Sequence, residues 1–417
     1  MAKLSIRDLD LRGKPTLLRV DFNVPVDRAR VVDDTRIRAV LPTIELALKR
    51  GARLILASHL GRPRGERLLA LTLKPVQVRL SELLDREVAF VEDCIGEIAK
   101  RGVEDLPAGG VLLLQNLRFH PGEVGNDPSF AESLASLALE YVNDAFGTAH
   151  RAHASTVGVP KILGRGAAGL LIQRELDYLS HLLDRPSAPV VAILGGAKIS
   201  DKIEVILNLL NLADTILVGG AMAYTFLKAT GKNIGSSLWE EDRVEKAAEI
   251  VECARRNGVD LRLPVDHVVA EKLDASEVEI TPDEQIPDGK MGLDIGPGTA
   301  ENFKQAISKA RTILWNGPLG VFEMDRFAAG TLLVARAVAD SKGMSVVGGG
   351  DSISAVVRAG VAGCITHLST GGGASLEFLA GKTLPGIDAL SEAVATASNQ
   401  PGNPTGGNRA KTWTEKH

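Results

Sequence analysis

The sequence predicts an α/β protein made of two halves, each carrying a mostly parallel sheet. Three observations lead there. Short apolar runs rich in Val, Ile and Leu alternate with helix-periodic stretches along nearly the whole chain. Almost every run ends in glycine or in a polar residue suited to binding, and open parallel sheets bind ligands at the carboxyl ends of their strands. A single helical pattern, residues 167–184 (AAGLLIQRELDYLSHLLD), stands between the two alternating regions and is closed by Pro186 and Pro189. A chain of 417 residues has room for about two or three such cores.

In the first half, strands are expected at 16–20, 53–57, 88–91, 111–114 and 141–143, with helices at 37–50 and 128–139. In the second half they are expected at 190–194, 215–218, 261–265, 312–315, 345–347 and 364–367. The end of the chain, 399–417, is polar and rich in Gly and Pro and is expected to form a poorly ordered tail.

Composition narrows the function classes. A net charge of −4 does not suggest a polyanionic nucleic-acid partner. Residues 1–167 carry 24 Lys and Arg against 21 Asp and Glu, whereas the remainder carries 24 against 31, so the first half suits a small anionic ligand. The 43 glycines are clustered, which favours sites built from backbone. Cys94, Cys253 and Cys364 are odd in number and lack metal-ligand spacing, so a reducing compartment without a disulfide framework is expected. No apolar run approaches the length of a membrane span or a signal segment, and the protein is expected to be cytoplasmic.

Chemistry concentrates at the strand ends. Asp21 and Asn23 close the first strand and can bond a substrate hydroxyl. His59 and Arg62 close another, Arg118 and Arg151 follow two more, and Arg36 opens the helix after the first loop. Arginine suits bidentate grip of carboxylate or phosphate, and several strand-end arginines together outweigh the surface salt-bridge reading of any one. In the second half Gly195-Gly196 turns the chain, and Lys198 and Lys202 are expected on one face of the following helix's first turn. There, lysines conflict with the helix dipole unless an anion intervenes. The turn 315–323 (WNGPLGVFE) permits close backbone approach, with Glu323 placed for ribose hydroxyls. Gly349-Gly350-Asp351-Ser352 places Asp351 as an N-cap or as a carboxylate for Mg²⁺. The turn 369–375 (STGGGAS) opens a helix at 376–380 and offers an anion nest. There is no G-x-G-x-x-G after the opening strands, and Gly381-Lys382-Thr383 lacks the upstream glycine of a P-loop.

Taken in order, RVDFNVP, SHLGRP, LRFHPGE, AHRAHAST, ILGGAKISDK, WNGPLGVFE, VVGGGDS, HLSTGGGASLE and LPGIDAL resemble the phosphoglycerate kinase family over about residues 1–392. The resemblance implies two Rossmann-like three-layer domains joined by a helix and hinge. The first would span 1–167 with 382–398 packing back on it, the connecting helix 168–185, and the second 186–381. The first domain would bind 3-phosphoglycerate through Asp21, Asn23, Arg36, His59, Arg62, Arg118 and Arg151. The second would bind Mg²⁺ with ADP or ATP, with Lys202 on the phosphates, Glu323 on the ribose, Asp351 at the metal, and Gly349 to Ser352 in the same turn. Gly219 and Gly292 would line the adenine pocket, with Asn316 and Pro318 near the nucleotide. Arg36, Lys198 and the N–H groups of Gly350 or of Gly372 and Gly373 would stabilise the phosphoryl group in flight. Ala221 stands where the family often has a third glycine, and a monomer is the family expectation. A nucleotide-binding protein without transfer activity is the alternative, which substitution at Arg36, Lys198 or Asp351 would signal; all three are intact.

Overall fold

The computed structural model describes residues 3–393, so the expected tail and residues 394–398 lie outside the described residues. Two six-stranded sheets, each parallel throughout, organise the chain. The first runs, in spatial order, Ala89–Phe90, Val111–Leu113, Arg53–Ala57, Pro15–Arg19, Glu140–Asn143, Ala167–Ala168. The second runs Asp260–Arg262, Thr215–Val218, Val190–Leu194, Thr312–Asn316, Met344–Gly348, His367–Ser369. Their central strands read as continuous apolar runs because both faces are covered: all five residues of Val190–Leu194 are buried. Register is set by that double burial, with Pro15 opposite Arg53 through to Arg19 opposite Ala57.

Element ends differ from the sequence expectation where a cap or a turn intervenes. The helical pattern 167–184 resolves into a short strand, Ala167–Ala168, and a helix, Leu170–Asp184. The break has a local cause. Gly169 is extended, Thr43 Oγ1 accepts from Leu170 N (3.0 Å), and buried Asp144 Oδ1 accepts from Ile172 N (3.0 Å), so side chains satisfy the orphan N–H groups there. The expected strand 364–367 is His367–Ser369 instead, because Ala362–Cys364 forms a 3₁₀ turn. The helix expected at 128–139 stops at Ala135.

A three-stranded antiparallel sheet lies outside the expected alternation: Glu279–Ile280, His267–Ala270 and Met291–Ile295. Its strands are short and mixed in polarity, and two of the three have no full run of alternation to reveal them. The chain also returns to its beginning. Leu4 N donates to Ser391 O (2.8 Å), Gly386 N to Ala149 O (2.8 Å), and Lys3 pairs with Glu392 (2.6 Å). No described helix is long and apolar enough to cross a membrane.

Candidate active site

At the carboxyl ends of the first sheet, the strand-end residues meet around a buried charge network. Arg36 Nη1 donates to Asp21 Oδ2 (2.6 Å), and Asp21 Oδ1 accepts from Asn23 N (3.3 Å). Asn23 Oδ1 in turn accepts from Gly61 N (2.9 Å), tying the first loop to the one carrying His59 and Arg62. Asn116 bonds Leu60 through both its amide atoms and accepts from Arg118 N, so the segments of His59 and Arg118 are held as one piece. Arg118 Nη1 donates to Gly61 O (2.8 Å), while its Nε and Nη2 are buried with no acceptor among the described residues. Burial, helped by the nearby charges of Arg19 and Arg151, lowers the Arg118 guanidinium to about 10. Buried donors are nearly always paired, so two left open on one cation mark where an anion fits.

His59 sits over the fully buried Arg19, whose Nη2 lies 3.3 Å from His59 Nδ1. Arginine only donates, so His59 Nδ1 accepts and the imidazole carries its proton on Nε2. Burial and the surrounding arginine charges push His59 well below the usual imidazole range, which leaves it neutral. Arg19 is balanced by Glu123, also fully buried, at 4.0 Å. Glu123 accepts from Ser155 N (3.0 Å) and Ser155 Oγ (2.7 Å), and stands 3.6 Å from His153 Nδ1. Arg19, Glu123 and Ser155 are not among the expected site residues, yet a charge inside the apolar strand TLLRV already required a buried partner. Arg151 is half-buried beside His150 (Nε to Nε2, 3.1 Å), and Arg62 is exposed.

On the second sheet, a cavity of about 740 Å³ opens beside the strand ends. Its walls come from Gly196, Gly220, Ala221, Tyr224, Met291, Gly292, Pro318, Leu319 and Val321, with Glu323 and Asp351 at the polar end. Backbone forms much of it because three glycines pack where no side chain fits. A Cβ on Gly195 would stand 2.1 Å from Pro318 O, one on Gly317 2.1 Å from Gly195 O, and one on Gly220 2.6 Å from Gly196 N. Gly292 likewise makes room for the Tyr224 ring, whose hydroxyl would lie 2.1 Å from such a Cβ. Gly219 stands one residue behind the wall, against the Leu319 side chain. Ala221 lines the cavity with ordinary helical backbone, so its position there does not require glycine. The antiparallel sheet supplies Met291 to Leu293, a wall the strand–helix alternation did not reveal.

The two lysines do not share a helix turn. The helix begins only at Ile203, and Lys202 occupies its N-cap after a tight turn in which Lys202 N donates to Ile199 O (2.8 Å). Lys198, just before that turn, is exposed, whereas Lys202 is buried and its ammonium donates to Asn316 Oδ1. Burial lowers Lys202 to about 8 despite the nearby Asp201 and Asp351 carboxylates. Asp351 is not an N-cap either. Gly349 (φ +92°) caps the helix Gly350–Arg358, and Asp351 sits in its first turn, exposed toward the cavity. Ser352 Oγ accepts from Gly317 N (2.6 Å), which fixes one glycine turn against the other.

The third glycine turn reaches across to the first sheet. Its helix is Gly373–Leu379, three residues earlier than the sequence suggests, and Gly372 (φ +53°) is its cap. Gly371 packs on the Phe146 ring, and a Cβ on Gly373 would lie 3.5 Å from His150 Nε2. Glu175, buried in the connecting helix, accepts from Thr370 N (2.9 Å) and pairs with His367 Nε2 (2.8 Å). The connecting helix and the third turn are therefore mechanically coupled.

A buried guanidinium with unclaimed donors at the strand ends of one sheet, and an apolar cavity that also includes Glu323 and Asp351 at the strand ends of the other, define a two-sheet α/β protein with two separate candidate small-molecule sites. The comparisons make this particular. The model of the family "Phosphoglycerate kinase" matches residues 6–382. A phosphoglycerate kinase of Koribacter versatilis is 56% identical over 400 residues, covering 94% of this chain and 99% of the relative. One of Clostridium botulinum is 54% identical over 394 residues, covering 94% and 99%. The solved phosphoglycerate kinase of Coxiella burnetii superposes with a TM-score of 0.85 at 39% identity, covering 93% of this chain and 98% of that one. That of Pyrococcus horikoshii gives 0.82 at 36%, with the same coverage. The chain belongs to the phosphoglycerate kinase family and is an enzyme, a kinase.

Proposed function

We propose that the enzyme moves the acyl phosphate of 1,3-bisphosphoglycerate to ADP, reversibly, giving 3-phosphoglycerate and ATP. The observation that carries the substrate assignment is Arg118, a buried guanidinium with two unclaimed donors beside Arg36, Asp21 and His59. We assign Arg36, Arg62, Arg118 and Arg151 to the anionic groups of the glycerate, with Asp21, Asn23 and neutral His59 on its hydroxyl side. We assign the nucleotide base to the apolar cavity between Tyr224, Gly292 and Leu319, its ribose to Glu323, and its phosphates to Lys202 and the turn at Gly349 to Ser352. Gly219, Asn316 and Pro318 then back the nucleotide through the strand ends they occupy.

In the direction of ATP use the acceptor is a carboxylate. Free carboxyls titrate near about 4, so the nucleophile is already ionised and no general base is required. Neutral, arginine-bonded His59 is accordingly a binding group. What remains is in-line positioning and neutralisation of charge on the equatorial oxygens. We assign that role to Arg36 from the first half, Lys198 from the second and the N–H groups of Gly350, or of Gly372 and Gly373. The reacting oxygens must approach to about 3–3.5 Å, so the halves close and exclude water. The helix Leu170–Asp184 and the turn at Ser369 and Thr370, joined through Glu175, serve as the hinge. Asp351, an exposed carboxylate in the cavity lining, is the hard-oxygen donor that would hold Mg²⁺, which would there offset the charge of the nucleotide phosphates.

With this reading go a domain division at 1–167 (with 382–398), 168–185 and 186–381, a monomeric state and a cytoplasmic location. A coupled assay with 3-phosphoglycerate, Mg²⁺ and ATP tests it directly. Turnover is expected, and its absence would favour the inactive nucleotide-binding alternative. In Lys198→Ala, kcat is expected to fall by about 10²–10³, as when one preorganised donor is removed, with nucleotide affinity held. Unchanged kcat in that variant would remove Lys198 from its assigned role.

A further inference from the structure

Cys94 has no metal-ligand spacing in the sequence, but the fold supplies the missing partners. Asp93 and Cys94 are neighbours in the chain and His120 comes from a separate segment, yet one ligand atom of each lies within 4.8 Å of the other two. A carboxylate oxygen, a thiol sulfur and an imidazole nitrogen so close together are a donor set rather than an acidic patch. Cys94 is fully buried, while the side chains of Asp93 and His120 are about 30% and 29% exposed, so the set lies at the edge of the core with its carboxylate and imidazole reachable from solvent. Phe130 packs against the His120 ring, with centroids 5.3 Å apart, and closes one flank with apolar surface.

The carboxylate and the imidazole are also brought together by a direct contact, into which an ion would insert. Asp93 Oδ1 accepts from Cys94 N (2.7 Å) and lies 2.7 Å from His120 Nε2. Both contacts use the same oxygen, which leaves Asp93 Oδ2 without a hydrogen-bond donor among the described residues. We propose that Asp93, Cys94 and His120 form a binding site for a thiophilic divalent cation of the Zn²⁺ class, with water in the fourth position. Mg²⁺ is not its occupant, because that ion demands oxygen ligands in near-octahedral array. The site is thus separate in chemistry and in place from the nucleotide's Mg²⁺.

The exchange of atoms is simple. The Sγ–H bond breaks, its proton goes to solvent and the sulfur electron pair goes to the cation. His120 gives up its contact with Asp93, carries its proton on Nδ1 and coordinates through Nε2. Affinity therefore rises with pH. The consequence for the enzyme lies in the neighbourhood. His120 is the residue before the helix Pro121–Val124, which carries Glu123, and it follows the turn Leu117–Phe119, which carries Arg118. An occupied site pins the segment that positions the buried charges of the first half.

The test uses metal-free full-length protein titrated with Co²⁺, which reports a sulfur ligand by a thiolate-to-cobalt charge-transfer band, followed by displacement with Zn²⁺. One equivalent with that band is expected, reversed by Zn²⁺ and not by excess Mg²⁺. In His120→Gln and Asp93→Asn, both on partly exposed positions, binding is expected to weaken by about tenfold or more. Cys94→Ser is expected to abolish the band. A wild type without the band, a band that persists in Cys94→Ser, or affinities unchanged in the two partly exposed variants would each overturn the proposal. Catalytic turnover does not enter these readouts, so they stand or fall apart from the proposed reaction.

Discussion

The two halves share an architecture and, on the proposed assignment of ligands, bind by opposite means. In the first, the site is built from side-chain charges: Arg36 against Asp21, and Arg118 on the backbone carbonyl of Gly61, over the buried pair of Arg19 and Glu123. In the second, the working surface is backbone and apolar wall, with three glycines in contact where any side chain would clash. A small trianion offers little area to bury, so its site must supply charge, and buried charge needs buried counter-charge. A nucleotide offers a large flat base, so its site supplies shape and leaves the charged residues at one end. The contrast makes different substitutions fatal in each half.

Glu123→Gln should produce the largest effect. Its carboxylate is fully buried, and removing its charge leaves Arg19 uncompensated in the interior. Breaking such a pair costs about 3–5 kcal/mol of stability, to be measured by denaturant unfolding. Affinity for 3-phosphoglycerate is expected to fall with it, while nucleotide affinity in the folded fraction stays near wild type. Equal losses at both ligands would end the view that this network serves the first half alone. The pH dependence has a definite sign. Burial pushes the Glu123 carboxyl up, but the nearby His153, the charge of Arg19 and the bond from Ser155 outweigh it and hold the group below its ordinary value. A depressed folded value adds stability above the unfolded carboxylate range, and that stability is lost as pH falls through the folded value.

Gly317→Ala is the matching lesion in the second half. Gly317 has φ +95°, and an added Cβ would meet Gly195 O at 2.1 Å, with only backbone on either side to yield. Strain of about 1–3 kcal/mol at this one residue is expected. It should appear as nucleotide affinity weakened by about tenfold to a hundredfold in titration calorimetry, with 3-phosphoglycerate affinity unchanged. A normal nucleotide affinity would show that the glycine contact shapes the strand ends without shaping the cavity.

Legibility from sequence followed the same contrast. The parallel sheets were readable because doubly covered strands such as Val190–Leu194 are apolar from end to end. Strand-end polar residues were readable because the topology puts them on one edge, and Asp21, Asn23, Arg36, His59 and Arg118 do meet there. The side chains underneath were not, since Glu123 and Ser155 act from a one-turn helix and a short π-helical segment, both too short to show periodicity. Lys198 and Lys202 looked equivalent at a spacing of four, and only the tight turn ending at Lys202 separates them into one exposed and one buried group. The antiparallel sheet was missed for want of alternation, and with it the Met291–Leu293 wall of the cavity.

The smallest effect, and the sharpest test of the contrast, is in pH. Burial lowers Lys202 to about 8, against 10.5 for a free lysine, while Arg118 is lowered only to about 10. Between pH 6.5 and 9, therefore, the first half keeps its cation and the second half loses one. Nucleotide phosphates favour the charged lysine, so above about 8 binding must take up a proton, and affinity is expected to fall by up to about tenfold per pH unit. Stability of the unliganded protein runs the other way. The cost of burying the charged lysine is full below about 8 and is relieved as pH rises toward the unfolded value, where folded and unfolded chains again bind equal protons. Titrations of ADP and of 3-phosphoglycerate across this range should give a falling curve for the first and a nearly flat one for the second. Lys202→Met should flatten the ADP curve. If wild-type ADP affinity is already flat, Lys202 does not carry the phosphate charge, and the second half binds by backbone alone.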